Sequence, residues 1–176
     1  MKQVSFLPAL KISTTLAYRG EVQKGKRKIA RPFDPRRPLH VVFRSTRARG
    51  EWSLLRPRHR HSVERTLDST AEACGIRIHR FVNVGNHLHL LLSAPNRMAI
   101  RSFLRRFAGE VAMRVTGASK LNAIGRFWDA LVYTRVVSWG REFDTVMRYL
   151  VKNVFEATGL WNRKKQSAEL RWYRGG

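Results

Sequence analysis

The chain has 176 residues, enough for one domain with a substantial core. Its 43% hydrophobic and 10% aromatic content excludes a disordered polyelectrolyte. Against 12 acidic residues stand 35 lysines and arginines, and a net charge of +23 repels itself in isolation and calls for a polyanionic partner, nucleic acid first. No stretch approaches a membrane span, residues 1–10 are broken by Pro8 and too short for a secretory signal, and one cysteine excludes an internal disulfide or a Cys-rich zinc site. The expectation is a cytoplasmic protein with no membrane partner.

Taken in order, residues 1–38 read as a basic arm. Lys24, Lys26, Arg27 and Lys28 form a cluster suited to phosphate contact, and Pro32, Pro35 and Pro38 interrupt regular structure. Residues 39–45 are β-branched, aromatic and short, and predict the first strand. Residues 57–74 predict a helix: Pro57 suits its first turn, Val63, Leu67, Thr70, Ala71 and Cys74 recur at helical spacing, and Gly75 suits its end. Cys74 on that apolar stripe reads as a reduced core thiol. The run Arg58-His59-Arg60-His61 places cations where the helix dipole disfavours them, which points to phosphate. His59 and His61 are not read as ligands, because a first turn frays and no apolar neighbours fix them.

Residues 76–84 predict a second strand with Ile76, Ile78, Val82 and Val84 inward, and a tight connection at 83–86 turns it into a third strand as a hairpin. That third strand begins Gly85-Asn86-His87-Leu88-His89-Leu90-Leu91-Leu92. Side chains alternate along a strand, so His87 and His89 share one face about 7 Å apart while Leu88 and Leu90 anchor the other. Two imidazoles so placed suit one metal ion. A bare His-x-His also arises on the polar face of any half-buried strand.

Residues 97–115 predict a helix with a core stripe of Ile100, Phe103, Leu104, Phe107, Val111 and Val115. On another face Arg97, Arg101 and Arg105 follow each other at intervals of four, a candidate track for a phosphate backbone. After a loop, Phe127-Trp128 lead into a fourth strand at 130–137. Residues 141–158 predict the last helix, closed by Gly159, with Phe143, Val146, Met147, Leu150 and Val154 as its stripe. Tyr149 and Asn153 lie one turn apart along the edge of that stripe. Residues 161–176 are basic and aromatic, a tail suited to stacking and phosphate contact. The expected organisation is a basic arm over 1–38, one domain over 39–160 and a basic aromatic tail over 161–176.

The first six elements follow the split β-α-β-β-α-β order of a ferredoxin-like α+β sheet. In that topology the first and third strands are central neighbours, with two helices on one face. The seventh element, carrying Tyr149, is extra and available to cover the other face.

The His87-Leu88-His89 strand, Phe127-Trp128 before a strand, and Tyr149-Leu-Val-Lys-Asn153 in a helix come in this order. Over roughly residues 37–160 the chain thereby resembles the HUH single-strand DNA transposases with one catalytic tyrosine, and within them the REP-associated tyrosine transposases. The resemblance implies that His87, His89 and Asn153 bind a divalent metal and that Tyr149 attacks a DNA phosphate. Beyond Asn153 family members often continue Pro-x-Arg-Ala-Gly, whereas this chain reads Val-Phe-Glu-Ala-Thr-Gly. The departure touches DNA recognition more than the chemistry.

A phenol with a pKa near 10 is a poor nucleophile at neutral pH, and a divalent ion polarising the phosphate would compensate. Two imidazoles and an amide suit Mn²⁺, and the resemblance implies Mg²⁺. The implied partner is single-stranded DNA, in hairpin form, bound by a monomer or homodimer. Tyr133, among Val132 and Val136, is the rival nucleophile and reads as packing. His40 and His79 lack a partner at ligand spacing and read as structural. A nucleotide hydrolase of the His-x-His-x-His type is excluded by Leu91. A non-catalytic or domesticated nucleic-acid-binding protein of the same fold stays open as the alternative.

Overall fold

The structure, a computed structural model, describes residues 17–18, 30–119 and 121–157. Five strands form one antiparallel sheet: β1 (Ala17–Tyr18), β2 (Leu39–Arg44), β3 (Arg77–Asn83), β4 (His87–Ser93) and β5 (Tyr133–Val136). Among the described residues three α-helices accompany the sheet: α1 (Pro57–Cys74), α2 (Arg97–Thr116) and α3 (Arg141–Ala157). The sheet order is β1-β5-β2-β4-β3, so the ferredoxin-like arrangement is present, with β2 and β4 as central neighbours.

Local signals place the helix ends. Pro57 opens α1, and Gly75 closes it with a positive φ of 62° and an N–H shared by the Ala71 and Glu72 carbonyls. The Asn96 side chain caps α2 by accepting from the Ala99 N–H at 2.8 Å. In the β3–β4 turn Gly85 has φ 90°, and a Cβ there would meet Leu55 Cδ1 at 3.2 Å. The turn is further held by the Gly85 N–H donating to Asn83 Oδ1.

Alternation along the central strands divides the molecule in two. Leu39, Val41 and Phe43 of β2 and Leu88, Leu90 and Leu92 of β4 face α1 and α2, where Leu67, Phe103 and Phe107 close the main core. The opposite face carries a smaller apolar cluster of Val82, Leu91 and Val137 under Val146 and Leu150 of α3. Thus α3 covers the face that the two other helices leave open.

Three differences from the sequence reading have physical causes. Val82 and Val84 lie on the α3 side, opposite Ile76 and Ile78, because the β3–β4 register shifts between Ile78 and Arg80. The extra residue, His79, inverts the alternation that follows it. β5 starts at Tyr133 rather than 130, because the preceding residues are engaged elsewhere. The Asp129 N–H donates to the Arg44 carbonyl and its carboxylate accepts from Thr46, while Trp128 Nε1 donates to the Ala108 carbonyl. The stretch read as an arm contributes β1, paired with β5, and its last residues dock on the domain: Arg31 donates to Val132 and Thr134, and Phe33 packs on the core.

Candidate active site on the second face of the sheet

β4 places His87 and His89 side by side on the α3 face, ring centroids 6.0 Å apart and planes within 17°. Their surroundings differ. Asn86 Oδ1 lies 2.8 Å from His87 Nδ1, a contact that makes this nitrogen the donor and leaves Nε2 its lone pair. His87 is half-buried, and desolvation pushes its pKa down, helped by Arg44 and opposed by Asp129. His89 is buried, and burial followed by the neighbouring His87 lowers its pKa to about 3. Both rings are therefore neutral at physiological pH, the form that ligates metal.

Tyr149 of α3 stands edge-on to His89, centroids 6.1 Å apart at 83°. The strand–helix pairing expected from sequence thus brings the tyrosine to the histidine face. A half-buried ion pair ties down the helix that carries it: Arg135 Nη1 meets Glu142 Oε1 at 3.0 Å, and Glu142 Oε2 accepts from the Ser138 N–H at 2.7 Å. Asn153 lies one turn beyond Tyr149, half-buried.

Two residues read as structural from sequence belong to this face. His40 of β2 is buried and stacks on His89. Its pKa is held well below the usual histidine range by burial, then by His89 and Arg135. Tyr133 stands edge-on to His40. Burial raises its phenol pKa, opposed by Arg135, which makes it a weaker nucleophile than an ordinary tyrosine. No spacing in the sequence reveals His40, because its approach to His89 depends on the pairing of two strands some fifty positions apart.

Among the described residues no group of three or more His, Cys, Asp or Glu side chains could hold a metal. An ion here would therefore be held by fewer than three such side chains and would complete its shell with oxygen donors of other kinds. Asn153 Nδ2 and His89 Nδ1 are both buried without a hydrogen-bond partner among the described residues. A buried imidazole nitrogen left without a partner is costly in a closed fold and fits an open ligand position, whereas an amide ligates through its oxygen. His87 and His89 thus stand together as two imidazoles on one face, and Asn153, on the helix that covers it, is the amide the resemblance adds to them.

Of the basic residues singled out in the sequence, the described ones are not gathered at this site. Arg97, Arg101 and Arg105 are exposed on α2, and α2 packs on the opposite face of the sheet. Arg97 donates to the Arg31 carbonyl and lies over the Phe33 ring at 5.7 Å. Lys24, Lys26, Arg27 and Lys28 lie outside the described residues, as does the tail over 161–176. His59, expected on a fraying turn, is buried and accepts from Arg58 Nε. Its isolation from the other histidines leaves it structural. No described helix is long and apolar enough to cross a membrane.

Fold and site together define the class, an HUH transposase domain with a single tyrosine helix laid across a His-x-His strand. The chain belongs to the IS200-like transposase family, whose family model, described as Transposase IS200 like, matches residues 37–153. It is similar in fold to the solved structure of the REP-associated tyrosine transposase bound to a REP hairpin. That match has a TM-score of 0.53 at 11% identity and covers 72% of each chain. A Deinococcus radiodurans protein assigned as a transposase also matches, with a TM-score of 0.45 at 17% identity, over 72% of this chain and 97% of that one. No curated protein matches the chain at a significant level.

Proposed function

We propose that this transposase-family chain nicks and rejoins single-stranded DNA through a covalent link between Tyr149 and a 5′ phosphate. The observation that carries the reading is the position of Tyr149, edge-on to His89 on the face where His87 and His89 stand in parallel. A divalent cation, Mg²⁺ or Mn²⁺, held by His87, His89 and Asn153, supplies Lewis-acid polarisation of the scissile phosphate when bound. The chain's own groups do the rest. Tyr149 loses its phenol proton to solvent as its oxygen bonds to phosphorus, the bond from phosphorus to the 3′ oxygen breaks, and that oxygen takes a proton from solvent and leaves as a hydroxyl. The phosphotyrosine retains the phosphodiester energy, so a second 3′ hydroxyl displaces Tyr149 without ATP.

The excess of basic residues supplies affinity independently of this chemistry. Phosphate contacts from the arm cluster Lys24, Lys26, Arg27 and Lys28, and from Arg97, Arg101 and Arg105 behind the sheet, make binding salt-dependent without touching the reacting atoms. The similar transposase of known structure is bound to a hairpin, and a folded single strand is the substrate we assign here.

The test is a denaturing gel of labelled hairpin DNA, taken from the sequence flanking the gene, with Mn²⁺. Wild type should form a covalent adduct, and Tyr149→Phe should bind the DNA and form none. An adduct persisting in Tyr149→Phe, or mapping to Tyr133, gives the role to another residue. Wild-type binding with no adduct leaves the non-catalytic reading.

A further inference from the structure

We infer that His40 is a positioning residue of this site, a third imidazole on the neighbouring strand that sets the ring planes of both His89 and Tyr149. The inference rests on the reading of Tyr149 and His89 given above and extends it to a residue outside the implied metal set.

The β2–β4 register places Val42 opposite His89 and His40 opposite Leu91, so His40 is the diagonal neighbour of His89 on the same face. Diagonal pairs across a sheet are within reach of ring side chains. The His40 and His89 rings lie 5.8 Å apart and within 11° of parallel. With His87 they make a row of three imidazoles, His89 in the middle stacked against His40 on one side and His87 on the other. Tyr149 stands edge-on to two members of this row, at 80° and 6.4 Å to His40 and at 83° and 6.1 Å to His89. A phenol edge-on to two stacked rings is confined in both tilt and swing, where one contact would leave the ring free to pivot about it.

The residue type is itself informative. His40 is buried, and its Nε2 has no hydrogen-bond partner among the described residues. A leucine would fill this volume and avoid a buried unsatisfied nitrogen. What leucine lacks is a flat ring to stack on His89 and to present to Tyr149. The neighbouring buried position on the same strand, Val41, faces the main core and is plainly aliphatic.

The experiment compares full-length His40→Phe, which keeps a flat ring, with His40→Leu, which keeps only bulk. Single-turnover adduct formation at saturating hairpin DNA and Mn²⁺ should fall by at least about tenfold in His40→Leu with DNA affinity unchanged, since small misplacements of a reacting group carry such penalties. His40→Phe should recover most of that loss. Side-chain NMR of the DNA-free protein should show the His89 and Tyr149 ring resonances displaced in His40→Leu and close to wild type in His40→Phe. Equal rates in wild type and His40→Leu overturn the inference, as do equal losses in the two variants that follow their melting temperatures. A slow His40→Phe whose ring resonances match wild type also overturns it, because the nitrogen rather than the plane would then matter. Absence of any wild-type adduct refutes the proposed function, and the NMR comparison still decides whether His40 aligns the two rings.

Discussion

The two faces of one sheet do opposite work with alternate residues of the same strands. On the α1/α2 face β4 contributes Leu88, Leu90 and Leu92, all fully buried among Phe43, Phe103 and Phe107. On the α3 face the same strand contributes His87, His89 and Leu91, and the apolar cluster there has only five buried members. Of the buried side-chain atoms without a hydrogen-bond partner among the described residues, His40 Nε2, His89 Nδ1 and Asn153 Nδ2 belong to the second face or to the helix covering it. The first face also has two such atoms, His59 Nδ1 and Thr66 Oγ1 on α1, but its central strands β2 and β4 contribute only apolar side chains, closed by dispersion and burial. The second carries polar groups that its own fold leaves unsatisfied, a pattern expected where binding completes the structure.

The largest effect that separates the faces is chemical. Replacing both His87 and His89 by alanine should reduce Mn²⁺-dependent adduct formation by on the order of 10³-fold or more, the scale of losing a principal catalytic group. Hairpin binding, measured by filter retention at fixed salt, should change little, because phosphate contacts elsewhere supply it. A double variant that retains full cleavage would remove the histidines from the reaction and erase the distinction.

A second comparison is energetic. Leu90→Ala on the first face should cost about 2–5 kcal/mol of global stability, as for other fully buried leucines. Leu150 is equally buried but belongs to the smaller cluster. Leu150→Ala should act on α3 before the rest of the molecule, raising amide exchange across residues 141–157 while β2 and β4 keep their protection. Denaturant melts read with exchange mass spectrometry distinguish the two, and a uniform loss of protection in both variants would show that α3 and the main core open as one unit.

The smallest effect concerns pH. His89 has its folded pKa at about 3, and His40 is also lowered, so the folded state resists protons that the unfolded chain takes up below about 6.5. The unfolded state then binds more protons, and stability falls as pH falls. The contribution is intact above about 6.5 and is lost from there toward about 3, at on the order of 1 kcal/mol per pH unit for His89. Urea melts of metal-free protein at pH 7 and pH 5 should show the loss, and His40→Phe should reduce it. Equal stability at both pH values would mean that the second face admits water and protons more freely than its packing indicates.

How much of this was legible in the sequence depended on the range of the interaction involved. The division of 87–93 into a leucine face and a histidine face follows from a period of two, and the stripes of α1, α2 and α3 follow from a period of 3.6. Both are local rules, so the order of elements, the ferredoxin-like topology and the sharing of one face by His87 and His89 were readable from residue types alone. Tyr149 and Asn153 were readable as one helix edge for the same reason.

Tertiary structure decided what local periods do not encode. Strand pairing brings His40 against His89, a bulge at His79 sends Val82 to the other face, and Asp129 ties to Thr46 shorten β5. The packing of α2 on the other side of the sheet places Arg101 and Arg105, a candidate phosphate track in the sequence, on the face opposite the tyrosine. In each case the deciding contact joins residues far apart in the chain, and its geometry is set by register and layer order, which no single segment carries.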